Sequence, residues 1–230
     1  MPDHTTDQRP AGTLDTGTQT CELKPDWTIG ELMAEAWQLK NGFKSTYWGA
    51  LLLYTAIAMV ISGVFEFIGN DSNIVKIISQ LVSGLVAYPL WAGLMMIAIK
   101  HSVGAPTDVS MIFDYYPKTI PIFLNYVLMM VLVLVGLSLL VLPGIYLMFA
   151  YTLAMPLIVD KNMGPWEALE TSRKAITPCW FRTFGLCIAS TIILMVSALP
   201  IGIGLIWTVP FLALTMAILY RNLIGVSPLT

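Results

Sequence analysis

Residues 119–159 read TIPIFLNYVLMMVLVLVGLSLLVLPGIYLMFAYTLAMPLIV, and none of these 41 positions carries a charged side chain. A single helix of this length would extend for about 60 Å, whereas the hydrocarbon core of a bilayer is about 30 Å thick. The chain must therefore turn back within the run. Pro143 and Gly144 give the turn signal, because proline removes a backbone donor and glycine permits a left-handed conformation. We predict two spans that meet at this pair.

Charge gaps elsewhere in the chain extend the same argument. Residues 183–220 are also free of charge and too long for one span, and Pro200, Gly202 and Gly204 interrupt them. Two apolar stretches upstream of residue 100 are each long enough to cross a membrane. The six predicted spans, paired as three hairpins, lie near 47–69, 77–99, 120–142, 144–159, 183–199 and 201–220.

The composition of the whole chain agrees with a membrane protein. Charged residues make up 11% of the chain and apolar residues 57%, whereas a soluble domain carries roughly 25% charged residues. The predicted fold class is an all-α integral membrane bundle formed by residues 26–225. Residues 1–25 are predicted to be a disordered tail, since they have no apolar periodicity, and 226–230 a short second tail. A net charge of −2 gives no reason to expect a nucleic-acid partner.

The distribution of lysine and arginine predicts the orientation. Eleven of the 12 basic residues fall in the termini and the two longer loops, against Lys76 alone on the other side. Positive charge accumulates on the cytoplasmic side of membrane proteins, so both termini are predicted to be cytoplasmic.

A short amphipathic helix is predicted before each hairpin, lying in the membrane interface. The first begins with a capping box formed by Thr28 and Glu31, the second is capped by Asp108, and the third has Pro165 in its first turn. In the third helix, the face predicted to point toward lipid or the bundle carries Trp166, Leu169 and Ile176.

Three glycines spaced by sixty residues, Gly84, Gly144 and Gly204, each begin an apolar run that ends near a basic residue. The spacing indicates a threefold repeat. Identity between the three runs is poor and glycine is common in membrane helices, which leaves coincidence as the alternative.

Two motifs in the middle of the chain carry a resemblance to a known group of proteins. They are Pro143-Gly144-Ile145-Tyr146-Leu147 and, within 166–174, the pattern W-x-A-x-x-x-S-R-K. This part of the chain resembles uncharacterised bacterial inner-membrane proteins and, more distantly, the membrane domain attached to some glycerophosphodiester phosphodiesterases. The resemblance implies the fold and a bacterial cell membrane, and it implies no activity.

Two sets of residues are candidate sites. Glu170, Arg173, Lys174 and Arg182 are a candidate contact for a partner protein or anionic lipid. The alternative is a solvated helix face whose ion pairs contribute only about 0.2 to 0.5 kcal/mol each.

Glu66, Gln80 and Asn125 form the second set, a candidate polar site inside the membrane. Gln80 and Asn125 are expected to be buried and to form hydrogen bonds between helices rather than line a substrate path. Glu66 lies near the end of its span, where it can reach water or Lys76, so a structural role is the alternative to proton handling.

The sequence contains no nucleophile with its base, no phosphate-binding glycine loop and no metal-ligand cluster, so we expect no enzyme, cofactor or metal. The predicted function is a non-enzymatic inner-membrane scaffold, regulator or assembly partner that contacts membrane lipids and another membrane or cytoplasmic protein. The alternative is a small-solute transporter or channel, because repeated hairpins and proline-interrupted spans are features that transporters use.

Overall fold

A computed structural model describes residues 26–67, 73–199 and 202–227. The predicted tail 1–25 and Pro200 lie outside these residues. Within them the chain is all-α, with short 3-10 turns at Val109–Phe113, Tyr116–Lys118 and Thr177–Cys179 and no strand. The helices are α1 (Ile29–Leu39), α2 (Phe43–Phe67), α3 (Asn73–Ser102), α4 (Thr119–Leu139), α5 (Val141–Ala150), α6 (Ala154–Lys161), α7 (Pro165–Ile176), α8 (Trp180–Ala198) and α9 (Leu205–Ile224).

Six helical segments of the described chain are long and apolar enough to cross a membrane, which confirms the predicted all-α membrane bundle. Two of these segments include the short element that precedes the span, because that element continues into it with little interruption. The segments are Phe43–Phe67, Ser79–Ser102, Val109–Leu139, Val141–Lys161, Pro165–Ala198 and Leu205–Ile224.

The short elements before the hairpins begin where the capping signals predict. The Glu31 N–H donates to Thr28 Oγ1 at 3.3 Å, and the Thr28 N–H donates to Glu31 Oε2 at 3.1 Å. Asp108 caps a 3-10 turn instead of an α-helix. The hydroxyl of Ser110, 2.6 Å away, and the local backbone N–H groups lower the pKa of Asp108.

The third short helix, α7, buries two of the three residues predicted to face lipid or the bundle, Leu169 and Ile176. Its buried residues are Ala168, Leu169, Ser172 and Ile176. Trp166 is 63% exposed and does not share this face. Six residues separate Trp166 from Ser172, which places the two side chains about 120° apart around the helix axis.

Packing between the hairpins supports the predicted repeat. The paired spans are α2 with α3, α4 with α5, and α8 with α9. Each short element packs on the last helix of the preceding hairpin: the 3-10 turn Val109–Phe113 on α3, and α7 on α6. For the first element, α1, the corresponding helix is α9, the last of the chain, and these two helices pack together. The three units therefore form a closed ring.

The turn of the second hairpin differs from the prediction. The chain reverses at Leu140, an extended residue with φ −160° and ψ 138°, and α5 has already begun at Val141. Pro143 lies in the first turn of α5, where backbone N–H groups have no acceptor within the helix, so the N–H that proline lacks costs no hydrogen bond. Gly144 is inside α5, where a Cβ would lie 2.7 Å from the backbone N of Leu137. Its role is to let α4 and α5 approach each other closely.

The third hairpin turns through Gly202, which has a φ of 76°. Helix α9 then packs against the first hairpin. Near its start, the Ile206 carbonyl accepts a 2.9 Å hydrogen bond from the indole of Trp48, the sixth residue of α2, and near its end Arg221 donates to Ser102. The start of α2 lies beside the end of α3, where the rings of Phe43 and His101 are 4.8 Å apart. Both ends of α9 therefore contact the end of the first hairpin at which α2 begins and α3 ends.

Candidate functional site

The fourth span is broken near its middle. Helix α5 ends at Ala150 and α6 begins at Ala154, which leaves Tyr151–Leu153 between them. The fully buried hydroxyl of Ser172 bridges the break: it donates to the Ala150 carbonyl at 2.7 Å and accepts from the Leu153 N–H at 3.1 Å. Buried backbone polar groups need hydrogen-bond partners, and a serine of α7 supplies them here.

This serine belongs to the W-x-A-x-x-x-S-R-K motif, and its role was missed in the sequence. From the sequence, Arg173 and Lys174 at the end of the motif belong to a charged helix surface, and Ser172 carries no signal of its own. The two small residues Ala168 and Ser172 stand four apart on one helix face, which indicates a close contact, but the span they would meet is not visible in the local pattern.

A cavity of about 330 Å³ lies beside the break. Its wall is formed by one face of α3, the residues of the break, one face of α9, and single residues of α2 and α8. No charged side chain lines it, and only Tyr47, Thr152 and Tyr220 contribute hydroxyl groups.

One end of the cavity leads to a buried carboxylate. The Tyr220 hydroxyl, in the cavity wall, donates to Asp160 at 2.8 Å, and the side chain of Asp160 is only 5% exposed. The Ser227 N–H donates to the same carboxylate at 3.2 Å, and Lys161 lies 3.5 Å away. Asp160 and Tyr220 are sixty residues apart, so the bond joins equivalent ends of the second and third units.

A second polar contact holds the first and third units together. Arg221 donates to the Ser102 carbonyl at 2.7 Å and forms an ion pair with Glu35 of α1. The arginine side chain is 14% exposed and the Glu35 side chain 39% exposed, so only the arginine is largely shielded from solvent. Glu35 and Arg221 are 186 residues apart, and neither was a candidate site residue.

The structure brings together three of the four predicted charged contact residues. Arg173 donates to both carboxylate oxygens of Glu170, at 2.9 and 2.7 Å, and Lys174 lies 3.4 Å from the same group. Arg182 forms a separate contact, 3.7 Å from Asp26, at the entry to α1.

The three residues of the predicted intramembrane site do not share one environment. Glu66 is exposed, one residue before the end of α2. Gln80 is also exposed, contrary to the prediction, as are its neighbours Leu81 and Val82, at 49% and 42%. Asn125 is 3% exposed, and its Oδ1 accepts no hydrogen bond from the described residues. No common site follows from these positions.

Fold and packing define an all-α, multi-pass membrane protein. Comparison with known proteins finds no family model, no curated protein and no solved structure that matches the chain. The resemblance to bacterial inner-membrane proteins therefore stays a prediction. Among residues 26–67, 73–199 and 202–227, no group of three or more His, Cys, Asp or Glu side chains is placed to hold a metal ion.

Proposed function

We propose that the protein is a non-enzymatic scaffold, regulator or assembly partner of the bacterial inner membrane, with cytoplasmic termini. The surface of α7 carries the proposal. One face of this helix is fixed in the bundle through Ser172, while Trp166 is 63% exposed and the Lys174 side chain 70% exposed. A rigid helix that presents aromatic and basic groups is typical of a protein-binding surface.

The partner that fits this surface is a protein with an aromatic-binding pocket and an acidic group nearby. Trp166 offers apolar surface, and Lys174 offers a charge that Glu170 only partly compensates, since Glu170 also binds Arg173. Residues of the types seen here, large aromatic and basic, are enriched at the centre of protein interfaces.

Native mass spectrometry of the protein isolated in mild detergent tests the proposal. The unaltered chain should retain a protein subunit in a fixed ratio, and Trp166→Ala should lose it without a change in melting temperature. Phe67→Ala is the matched control, because Phe67 is 95% exposed at the far end of α2. Retention of lipid alone by the unaltered chain would contradict the proposal.

A small-solute transporter is the second candidate, and the break in the fourth span favours it. Transporters build their binding sites at interrupted spans, and Thr152 of the break lines the cavity. Solute flux into liposomes that contain the protein, lost on Thr152→Val, would support this function. Flux that is absent from liposomes containing the unaltered chain would exclude it for the solutes tested.

A further inference from the structure

We propose that the cavity beside the broken fourth span binds one acyl chain of a membrane phospholipid. A volume of about 330 Å³ lies at the lower end of the range for small-ligand pockets, about 300 to 1,000 Å³. The inference is independent of the proposed partner surface on α7, because α7 contributes no residue to the cavity wall.

The wall has the chemistry of a site for hydrocarbon. Of its three hydroxyl groups, Tyr220 donates to Asp160, and Thr152 donates to the Met148 carbonyl. The Tyr47 hydroxyl and the Trp91 indole N–H are the remaining polar side-chain groups of the wall, and all other lining side chains are apolar. A cavity of this kind gives ordered water too few hydrogen-bond partners, whereas it readily takes up apolar molecules.

The wall is also elongated. On α3 it extends from Trp91 to Ile99, about 12 Å, and on α9 from Val209 to Tyr220, about 16 Å. The α9 residues recur at intervals of three and four, so a single continuous helix face borders the cavity over three turns. A long, narrow, apolar space fits an extended alkyl chain better than a compact ring.

The opening of the cavity determines which alkyl chain can enter. Trp91 and Leu194, at 43% and 38%, are the most exposed residues of the wall, and the opening lies at this edge of the cavity. Both belong to segments able to span the membrane, α3 and α8, whose exposed side chains face hydrocarbon. Phospholipid acyl chains are the solvent at this opening.

Photolabelling tests the assignment. The full chain is placed in phosphatidylcholine vesicles that contain a phospholipid with a diazirine on one acyl chain, then irradiated, and the labelled residues are identified by mass spectrometry. Met95 and Met216, half-buried in the wall, should be labelled, as should the lipid-facing Met59, which is 69% exposed.

A variant that fills the cavity provides the discriminating result. Ala213→Trp should abolish labelling of Met95 and Met216 and leave Met59 unchanged, because Ala213 lies in the wall. Ala56→Trp on the exposed face of α2 is the matched control and should leave the labelling of Met95 and Met216 unchanged. If Ala213→Trp does not accumulate, an excess of dodecanol should compete with labelling of the wall in the unaltered chain.

Three results would overturn the proposal. The first is the absence of label at Met95 and Met216 in the unaltered chain. The second is labelling there that neither Ala213→Trp nor dodecanol reduces. The third is labelling by a diazirine fatty acid but not by the diazirine phospholipid, which would assign the cavity to a free fatty acid instead.

Discussion

The second and third hairpins bring their helices together at equivalent positions but reverse the chain in different ways. Gly144 approaches Leu137, and Gly204, sixty residues later, approaches Ser197; each glycine faces the residue seven positions before it. The second hairpin turns at one extended residue, whereas the third needs a glycine with positive φ. The close helix contact is therefore the feature that the two hairpins share, whereas the turn between the helices differs.

Of the substitutions that test this comparison, Gly144→Val should reduce stability the most. A Cβ at this position would lie 2.7 Å from the Leu137 backbone N, so α4 and α5 would have to separate. We expect a loss of about 3 kcal/mol in the free energy of unfolding, measured in detergent. Gly63→Val is the matched control, because nothing lies within 4 Å of that position, and an equal loss there would disprove the explanation.

Gly204→Ala tests whether the third hairpin depends on the same contact. The new Cβ would lie 2.6 Å from the Ser197 carbonyl oxygen, and we expect a loss of about 2 kcal/mol. Gly30→Ala, where the added carbon meets nothing within 4 Å, should leave the melting temperature unchanged or raise it. If the Gly204 variant is as stable as the original, only the second hairpin depends on a close approach.

Gly202→Ala concerns the turn alone. Its φ of 76° disfavours a side chain, so the variant should lose about 1 kcal/mol. Leu140→Ala in the other turn should change stability little, since extended backbone suits any residue and this leucine is 68% exposed. Equal losses at the two positions, measured by denaturant titration, would mean that the turns do not differ as described.

Ser197→Ala should have the smallest effect. It removes a 2.6 Å hydrogen bond to the Thr208 hydroxyl, while Thr208 keeps its bond to the Gly204 carbonyl. Hydrogen bonds between membrane helices contribute about 0.6 kcal/mol on average. A double-mutant cycle with Thr208→Val measures the coupling, and a coupling well above this value would show that the polar contact holds the hairpin more than Gly204 does.

The number of spans could be predicted because hydrocarbon excludes charged side chains, and long uncharged stretches can be recognised directly in the sequence. The turn at Leu140 was not visible, because an extended residue requires no special amino acid. Pro143 was also ambiguous: proline ends one helix as readily as it begins the next.

The contacts between units could not be predicted. Glu35 and Arg221 pair across 186 residues, and no local pattern specifies which of several acids a terminal arginine will meet. The cavity likewise depends on contacts between distant parts of the chain, because its wall combines residues of α3, α9 and the fourth span. Gln80 was expected to be buried on the strength of its polarity, whereas burial depends on which helix happens to cover that stretch.

The packing of α1 on α9 has a consequence for biosynthesis. At about 5 to 20 residues per second, the ribosome makes Arg221 roughly 10 to 40 s after Glu35. The contact between α1 and α9 can therefore form only after nearly the whole bundle has been synthesised. During that interval the Leu32 and Ala36 face has no α9 to cover it. A chain that stops before α9 cannot form this contact, so the packing of α1 is complete only in a molecule that contains the last helix.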